Sequence, residues 1–164
     1  MVSLQSIIDA QSKISNLIKK TPLIQSDSLS ELIQGEVFLK LENQQITNSF
    51  KIRGALNRLL TLAPEAQAKG VITASSGNHA QAIAFGTKRL QIAAEIFVPV
   101  TTPRVKINKT KKYGAQVVLF GENFDEAEQR AKELAEQEGK TYISAYNDPW
   151  IIAGQGTIGL EILE

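Results

Sequence analysis

The feature that most constrains this chain is a regular alternation, after residue 64, of short apolar runs with longer amphipathic segments. The short runs predict strands at Val71–Ala74, Glu95–Val98, Gln116–Phe120 and Thr141–Ile143. The longer segments predict helices at Asn78–Arg89, Pro103–Tyr113 and Phe124–Glu138. Strands that alternate with single helices are typical of parallel sheets with right-handed crossovers. The sequence therefore predicts an α/β fold built on an open, mostly parallel sheet with flanking helices.

The region before residue 64 has a less regular pattern. Hydrophobic periodicity predicts helices at Ser3–Ile18 and Ser28–Gln34 and a strand at Glu36–Leu41. A further helix is expected to begin at an N-cap formed by Asn48 or Ser49 and to run to about Leu60. Regular alternation starts only after Ala63-Pro64, which marks a candidate domain boundary.

Charge and composition argue against several classes of protein. The 18 basic and 17 acidic residues give a net charge of +1, which indicates neither nucleic acid nor an acidic membrane surface as a partner. The absence of cysteine excludes disulfides and is typical of a cytoplasmic protein, and a single histidine excludes a multi-histidine metal site. No apolar run approaches the ~18 residues of a membrane span. One basic cluster is interpreted as an exposed helix face: Arg104, Lys106, Lys109, Lys111 and Lys112.

Lys51 occupies an electrostatically unfavourable position in the first turn of its predicted helix. A cation there opposes the helix dipole at a cost of a few tenths to ~1 kcal/mol, and Arg53 adds a second positive charge. Both effects favour the neutral amine, which is the form that attacks an aldehyde. A lone lysine of this kind is usually a solvated residue on a helix face, so a catalytic interpretation needs a second motif.

The segment Ser75-Ser76-Gly77-Asn78-His79 lies between a predicted strand and a predicted helix. In this context backbone N–H groups converge at the positive end of a helix dipole, and a carboxylate is the natural ligand. The alternative is an ordinary helix N-cap, since Ser and Asn are favoured caps. His79, taken alone, is interpreted as a hydrogen-bonded structural residue.

The spacing Gly154-Gln155-Gly156-Thr157-Ile158-Gly159 matches the pattern Gly-x-Gly-x-x-Gly. A dinucleotide site requires this pattern to follow a strand directly and to open a βαβ unit. Here Pro149–Ala153 precedes it and no such unit follows, so we do not interpret it as a nucleotide site.

Taken together, two segments resemble the serine/threonine dehydratase and serine racemase family, whose members are pyridoxal-phosphate enzymes with the three-layer fold of the tryptophan synthase β subunit. The segments are Ser49–Ala55 and Ser75–Gln81. Further landmarks of the family occur in order at Thr21–Leu23, Val98–Pro103, Tyr113–Ala115 and Gly154–Thr157, so the resemblance runs from about residue 15 to the end. Relatives such as cysteine synthase carry Lys-Asp-Arg in place of Lys51-Ile52-Arg53.

The resemblance implies pyridoxal 5'-phosphate as the cofactor and gives roles to individual residues. Lys51 would form the Schiff base with the cofactor and remove the Cα proton, and Ser76 would act as acid or base on the opposite face. Phe50 would lie near the cofactor ring, Asn78 would hydrogen-bond the ring hydroxyl, and Asn147 would lie near the cofactor.

The resemblance also implies a substrate and a reaction. A small hydroxyamino acid would be held through its carboxylate by Ser75, Ser76, Gly77, Asn78 and His79, largely through backbone N–H groups. The reaction would be deamination of L-threonine or L-serine to a 2-keto acid and ammonia, with serine racemisation as a related activity. No metal site is expected in this chain.

By the same resemblance, residues 1–63 belong to the large cofactor domain, residues 64–148 form a small α/β domain, and residues 149–164 return to the large domain. The family's glycine-rich phosphate loop has no counterpart here, so the chain is expected to be roughly the first half of a catalytic subunit. It would form a homodimer or other homo-oligomer, or pair with a missing C-terminal half. The alternatives are a catalytically inert fragment or half-subunit, and a β-replacement enzyme similar to cysteine synthase.

Overall fold

The computed structural model describes all residues, 1–164, as a mixed α/β structure. Its helices are α1 (Leu4–Ile14), α2 (Asp27–Ile33), α3 (Lys51–Leu60), α4 (Pro64–Lys69), α5 (Asn78–Leu90), α6 (Arg104–Lys111), α7 (Phe124–Glu138) and α8 (Pro149–Leu163). Its strands are β1 (Leu23–Gln25), β2 (Phe38–Lys40), β3 (Val71–Ala74), β4 (Ala94–Val98), β5 (Gln116–Leu119) and β6 (Thr141–Tyr142). Short 3₁₀ turns occur at Ser15–Leu17 and Glu42–Gln44.

Four strands form one parallel sheet in the order β5-β4-β3-β6, which confirms the predicted fold class. The chain runs outward from β3 through β4 to β5 and then returns to the other side of β3 with β6. The connection from β3 runs to β4 on one side, whereas the connection that reaches β6 comes from β5 and crosses to the other side of β3, so a crevice opens between the carboxyl ends of β3 and β6. Strands β1 and β2 form a separate antiparallel pair.

The two faces of the parallel sheet are covered by different helices. Ile72 and Ala74 point to the α7 face, where Ala127, Ala131 and Ala135 lie at intervals of four residues along one side of the helix. These small side chains allow α7 to pack closely on the sheet. On the opposite face, Val71 packs in the larger core with residues of α3 and α5.

Helices α3 and α8 cross at a contact that requires glycine on both sides. A Cβ atom on Gly154 would lie 2.6 Å from the carbonyl oxygen of Arg53, and one on Gly54 would lie 2.6 Å from the carbonyl oxygen of Ile151. A Cβ atom on Gly156 would lie 2.8 Å from the Cδ1 atom of Ile7 in α1. The Gly-x-Gly-x-x-Gly segment therefore lies in the middle of a helix, where its first two glycines permit close helix packing.

Helix α3 differs from the prediction at its beginning. Phe50 is the N-cap residue, and no side chain caps this end of the helix. Asn48 instead has a left-handed backbone conformation with φ of 57°, and the buried hydroxyl of Ser49 makes no hydrogen bond. The predicted cap at Asn48 or Ser49 is therefore wrong.

Two other helix ends were misjudged or missed by sequence reasoning. Helix α2 ends at Ile33, one residue before the predicted end, and Gln34 follows it in a left-handed conformation with φ of 54°. Helix α4 was not predicted, although Pro64 stands in its first turn and Gly70, with φ of 92°, follows its end. Among the eight helices, none has both the length and the apolar character that crossing a bilayer requires.

Candidate active site

A cavity of about 310 Å³ lies at the carboxyl ends of β3 and β6. It is lined by Lys51, Ser75, Ser76, Gly77, Asn78, His79, Phe124, Ala145 and Tyr146. This set contains six of the eight residues that the sequence analysis singled out for catalysis or binding, and Phe50 and Asn147 are the two outside it. The topology explains the convergence, because the loops after β3 and β6 meet at one edge of the sheet and α3 points its first turn toward them.

Lys51 begins α3, and its side chain is partly buried against the β6 loop. Its Nζ atom donates to the carbonyl oxygen of Ala145 at 3.1 Å and lies 5.1 Å from the ring centre of Tyr146. Burial lowers the pKa of the Lys51 amine below its ordinary value. Sequence reasoning expected the neighbouring charge of Arg53 to contribute, but that charge is neutralised by ion pairs with Glu42 and Glu161.

The loop between β3 and α5 is more than an ordinary helix cap. No side chain caps α5, and the hydroxyl of Ser75 accepts its hydrogen bond from the N–H of Gly77 at 3.2 Å, ahead of the helix. The N–H groups of Asn78, His79 and Ala80 donate to no backbone or side-chain acceptor. These donors, together with the helix dipole, make the first turn of α5 suited to an anion.

His79 is 3% exposed, and neither of its ring nitrogens has a hydrogen-bond partner. The interpretation of His79 as a hydrogen-bonded structural residue is therefore wrong. Burial, with a smaller effect from the nearby charge of Lys51, lowers the pKa of His79 to about 4. The backbone of Ile143, whose carbonyl also accepts from the Thr73 hydroxyl at 2.7 Å, acts in the opposite direction but does not outweigh burial. The imidazole is thus neutral around pH 7.

The remaining predicted residues lie at the edge of the site. Phe50 is outside the cavity lining, but its ring centre is 5.3 Å from the Nζ atom of Lys51. Ser76 lines the cavity on the loop after β3. Asn147 is exposed and does not line the cavity, and its backbone N–H donates to the Ser144 hydroxyl at 3.2 Å.

Sequence reasoning missed Phe124, Ala145 and Tyr146. Ala145 and Tyr146 follow β6, and only the strand order brings that loop beside the loop after β3. Phe124 begins α7 and contributes an aromatic wall. The one available signal in the sequence was an aromatic residue three positions after a predicted strand, Tyr146, which is 71% exposed in the structure.

These groups suit a small anionic carbonyl compound with a planar ring. The Lys51 amine can bond to a carbonyl carbon, the first turn of α5 can hold an anion, and aromatic side chains border the cavity. The volume of about 310 Å³ is at the lower end of the range for small-molecule sites. Nowhere in the chain do three or more His, Cys, Asp or Glu side chains form a group that could hold a metal ion.

Comparisons with known proteins agree with this chemistry. The chain is 51% identical over 165 residues to the catabolic L-threonine dehydratase TdcB of Staphylococcus aureus, which covers 100% of this chain and 48% of that relative. The structure of the processed form of threonine deaminase isoform 2 from Solanum lycopersicum superimposes with a TM-score of 0.91 at 43% identity, over 96% of this chain and 46% of that one. Maize serine racemase superimposes with a TM-score of 0.94 at 36% identity, over 99% and 49%.

The chain therefore spans about half the length of the relatives it matches. The model of a protein family described as "Pyridoxal-phosphate dependent enzyme" matches residues 14–164, which is nearly the whole chain. With a partly buried lysine and a helix end with free N–H groups in one cavity, and a family match of this extent, the chain belongs to the pyridoxal-phosphate dependent enzyme family.

Proposed function

We propose that this chain provides the catalytic lysine and the substrate-binding loop of a lyase that deaminates L-threonine or L-serine to a 2-keto acid and ammonia. The observation that carries the proposal is the presence of a lysine amine of lowered pKa and the free N–H groups at the beginning of α5 in one cavity. The likeness to a threonine dehydratase and a threonine deaminase supports this choice of substrate. Racemisation of serine is a second activity of the same site, supported by the likeness to maize serine racemase.

The donor set fits pyridoxal phosphate. When bound, this cofactor supplies an aldehyde carbon that bonds to amines and a ring that withdraws electrons from the Cα atom of an amino acid. Lys51 would hold the aldehyde carbon, Phe50 would lie beside the ring, and Asn78 would donate to the ring hydroxyl.

Lys51 and Ser76 move protons on opposite sides of the substrate in this proposal. Burial favours the neutral form of the Lys51 amine, so that it can accept the Cα proton of the amino acid. Ser76 lies on the facing loop and can protonate the other face, which yields the opposite enantiomer.

The first turn of α5 binds the substrate carboxylate. The N–H groups of His79 and Ala80 supply hydrogen bonds, and the side chains of Ser75 and Asn78 border the same space. The imidazole of His79 stays neutral near pH 7, so it adds a hydrogen-bonding group there without adding a charge.

Reductive trapping tests the proposal. The chain is incubated with pyridoxal phosphate, reduced with borohydride, and digested for mass spectrometry, and Lys51 is expected to carry the label. Lys51→Arg is expected to abolish the adduct, whereas Lys132→Arg, at an exposed position on α7, is expected to leave it unchanged. Labelling of other lysines in place of Lys51 would contradict the proposal.

A second candidate function is an inactive half that works only when paired with the remainder of the fold. The supporting observation is that the cavity contains one helix N-terminus and one cation, whereas cofactor and amino acid together bring a phosphate and a carboxylate. Measuring 2-keto acid formation from threonine by the chain alone separates the two candidates. Clear turnover would rule out the inactive half, and sulfide-dependent formation of cysteine in excess of deamination would instead favour a β-replacement enzyme.

We also propose assembly into a homo-oligomer, most simply a homodimer, or pairing with a C-terminal half, and a cytoplasmic location. Apolar side chains on α2 and β2 support association, since Leu32 is 78% exposed, Ile33 is 62% exposed and Phe38 is 53% exposed. The absence of cysteine supports the location. Sedimentation of the purified chain tests association, and a monomer at all concentrations would contradict self-association.

A further inference from the structure

We propose that Arg53 is a positioning residue for Lys51, because it clamps the first turn of α3 to the segment before it and to α8. This inference rests on the proposed function, since it concerns the placement of the lysine that would react. Arg53 itself does not line the cavity and touches no reacting group.

The guanidinium of Arg53 is fully buried, and all five of its N–H donors can be accounted for. Two hydrogen bonds go to Glu42, from Nε to Oε2 at 2.9 Å and from Nη2 to Oε1 at 2.7 Å. Two more go to Glu161, from Nη1 to Oε1 at 2.6 Å and from Nη2 to Oε2 at 3.0 Å. The fifth bond runs from Nη1 to the hydroxyl of Thr157 at 3.2 Å. These two bidentate ion pairs fix the orientation of the guanidinium as well as its position.

The charges around Arg53 are balanced within the chain. The Nζ atom of Lys40 donates to Glu161 at 2.5 Å and to the carbonyl oxygen of Thr21 at 2.6 Å. The hydroxyl of Thr21 donates to Glu42 at 2.6 Å. Two cations and two carboxylates therefore form a neutral, interlocked group. Removal of any one charge would leave the buried group with an uncompensated net charge.

The hydrogen bonds of Arg53 to Glu42, Glu161 and Thr157, which we call the clamp, stabilise the first turn of α3 in the absence of a side-chain cap. No side chain caps the N-terminus of α3, and the hydroxyl of Ser49 has no partner. Arg53 lies in the same first turn as Lys51, two residues along the helix, and is therefore rotated by roughly 200° about the helix axis. Arg53 thus anchors the turn on the side of the helix that faces away from the cavity, while Lys51 faces the cavity. A misplacement of about 1 Å can slow a positioned reaction by about 10²-fold, so this support matters for reactivity.

A purely structural role is the competing explanation, and a stability-matched variant separates the two. Leu59 is fully buried near the far end of the same helix, and Leu59→Ala is expected to destabilise the fold without disturbing the first turn. Arg53→Lys keeps the positive charge but loses the planar fork. Glu161→Gln keeps the shape of the side chain and loses its charge. Thr157→Val removes a hydroxyl that accepts from Arg53 and donates to the carbonyl oxygen of Gly154, and it leaves the charges in place.

The experiment measures the rate at which pyridoxal phosphate and borohydride label Lys51 over a range of pH, at a temperature where circular dichroism shows each variant folded. Arg53→Lys and Glu161→Gln are expected to slow labelling at pH 7 by at least ten-fold, and Thr157→Val by less. Leu59→Ala is expected to label at the wild-type rate despite its lower melting temperature. Lys132→Arg, at an exposed position on α7, is expected to label at Lys51 at the wild-type rate and serves as the control.

A second measurement needs no cofactor. Lysines are reductively methylated with ¹³C, and the titration of Lys51 is followed by NMR. A displaced first turn exposes the amine, so the midpoint is expected to rise toward that of an ordinary lysine in Arg53→Lys and to stay at the wild-type value in Leu59→Ala. Unchanged titration and labelling in every folded variant of the clamp would overturn the inference. Failure of the wild-type chain to label, with a shifted titration in the clamp variants, would count against the proposed function alone.

Discussion

The buried polar groups on the two sides of α3 differ in whether they have hydrogen-bond partners. On the side that packs against α8, Arg53 has a partner for every N–H donor, although it is fully buried. On the side that faces the cavity, both ring nitrogens of His79 are buried without partners, and the first N–H groups of α5 are free. Buried polar groups in folded proteins are normally satisfied. The packed side therefore stabilises the fold, and the cavity side keeps binding groups available at a cost in stability.

Removal of the arginine should produce the largest loss on the packed side. Arg53→Met leaves the buried carboxylates of Glu42 and Glu161 with one cation between them, so we expect the free energy of unfolding to fall by about 3–5 kcal/mol. Arg130→Met makes the same change in an exposed pair with Glu133, where about 0–1 kcal/mol is expected. Urea denaturation measures both. Similar losses in the two variants would show that the buried clamp is no stronger than a surface ion pair.

Acidification should weaken the cavity side before it weakens the packed side. The pKa of His79 is about 4 in the folded chain, against an ordinary value of 6.5. The unfolded chain therefore takes up a proton below pH 6.5 while the folded chain does not, and the free energy of unfolding should fall by about 3 kcal/mol between pH 6.5 and pH 4. Because this is the only histidine, His79→Leu is expected to remove that slope in urea denaturation across the range.

The ion pairs on the packed side are expected to lose their contribution to stability only at lower pH. Burial raises the pKa of Glu161, but hydrogen bonds from Arg53 and Lys40 outweigh it and hold the pKa below 4.5. A carboxylate with a lowered pKa contributes stability that is present above its ordinary pKa and lost as the pH falls through its folded value. A loss of stability that survives His79→Leu should therefore begin only below about pH 4.5. A slope between pH 6.5 and pH 4.5 that persists in His79→Leu would contradict the assignment to His79.

The contact between α3 and α8 provides the next test of the packed side. An Ala methyl at Gly154 would lie 2.6 Å from the backbone of Arg53, so Gly154→Ala must separate the helices and is expected to cost about 1–3 kcal/mol. Gly159 lies on the same helix with nothing within 4 Å of a Cβ atom, and Gly159→Ala is expected to stabilise by up to about 1 kcal/mol. Thermal melts compare the two. Equal effects would mean that helix propensity, rather than the close contact, decides the outcome.

The sequence was most informative where the signals are local. The prediction of α7 as Phe124–Glu138 is confirmed, because an Asn123 cap and a left-handed Gly139 mark its two ends. The two motifs around Lys51 and Ser75–His79 could likewise be found from neighbouring residues. The partners of Arg53 could not, since Glu42 and Glu161 lie 11 and 108 residues away. Tyr146 required the strand order for the same reason, and the uncapped start of α3 went against the local preference for Asn or Ser as a cap.

The smallest expected effect on stability comes from Lys51, the proposed catalytic lysine. Lys51 donates one hydrogen bond, to Ala145, and burial disfavours its charged form, so Lys51→Met should change the free energy of unfolding by no more than about 0.5 kcal/mol. The same substitution at Lys40 removes two bonds from the clamp and should cost several times more. Urea denaturation of both variants makes the comparison direct. A large loss from Lys51→Met would mean that the cavity side also holds the fold together, and the division between the two sides of α3 would then fail.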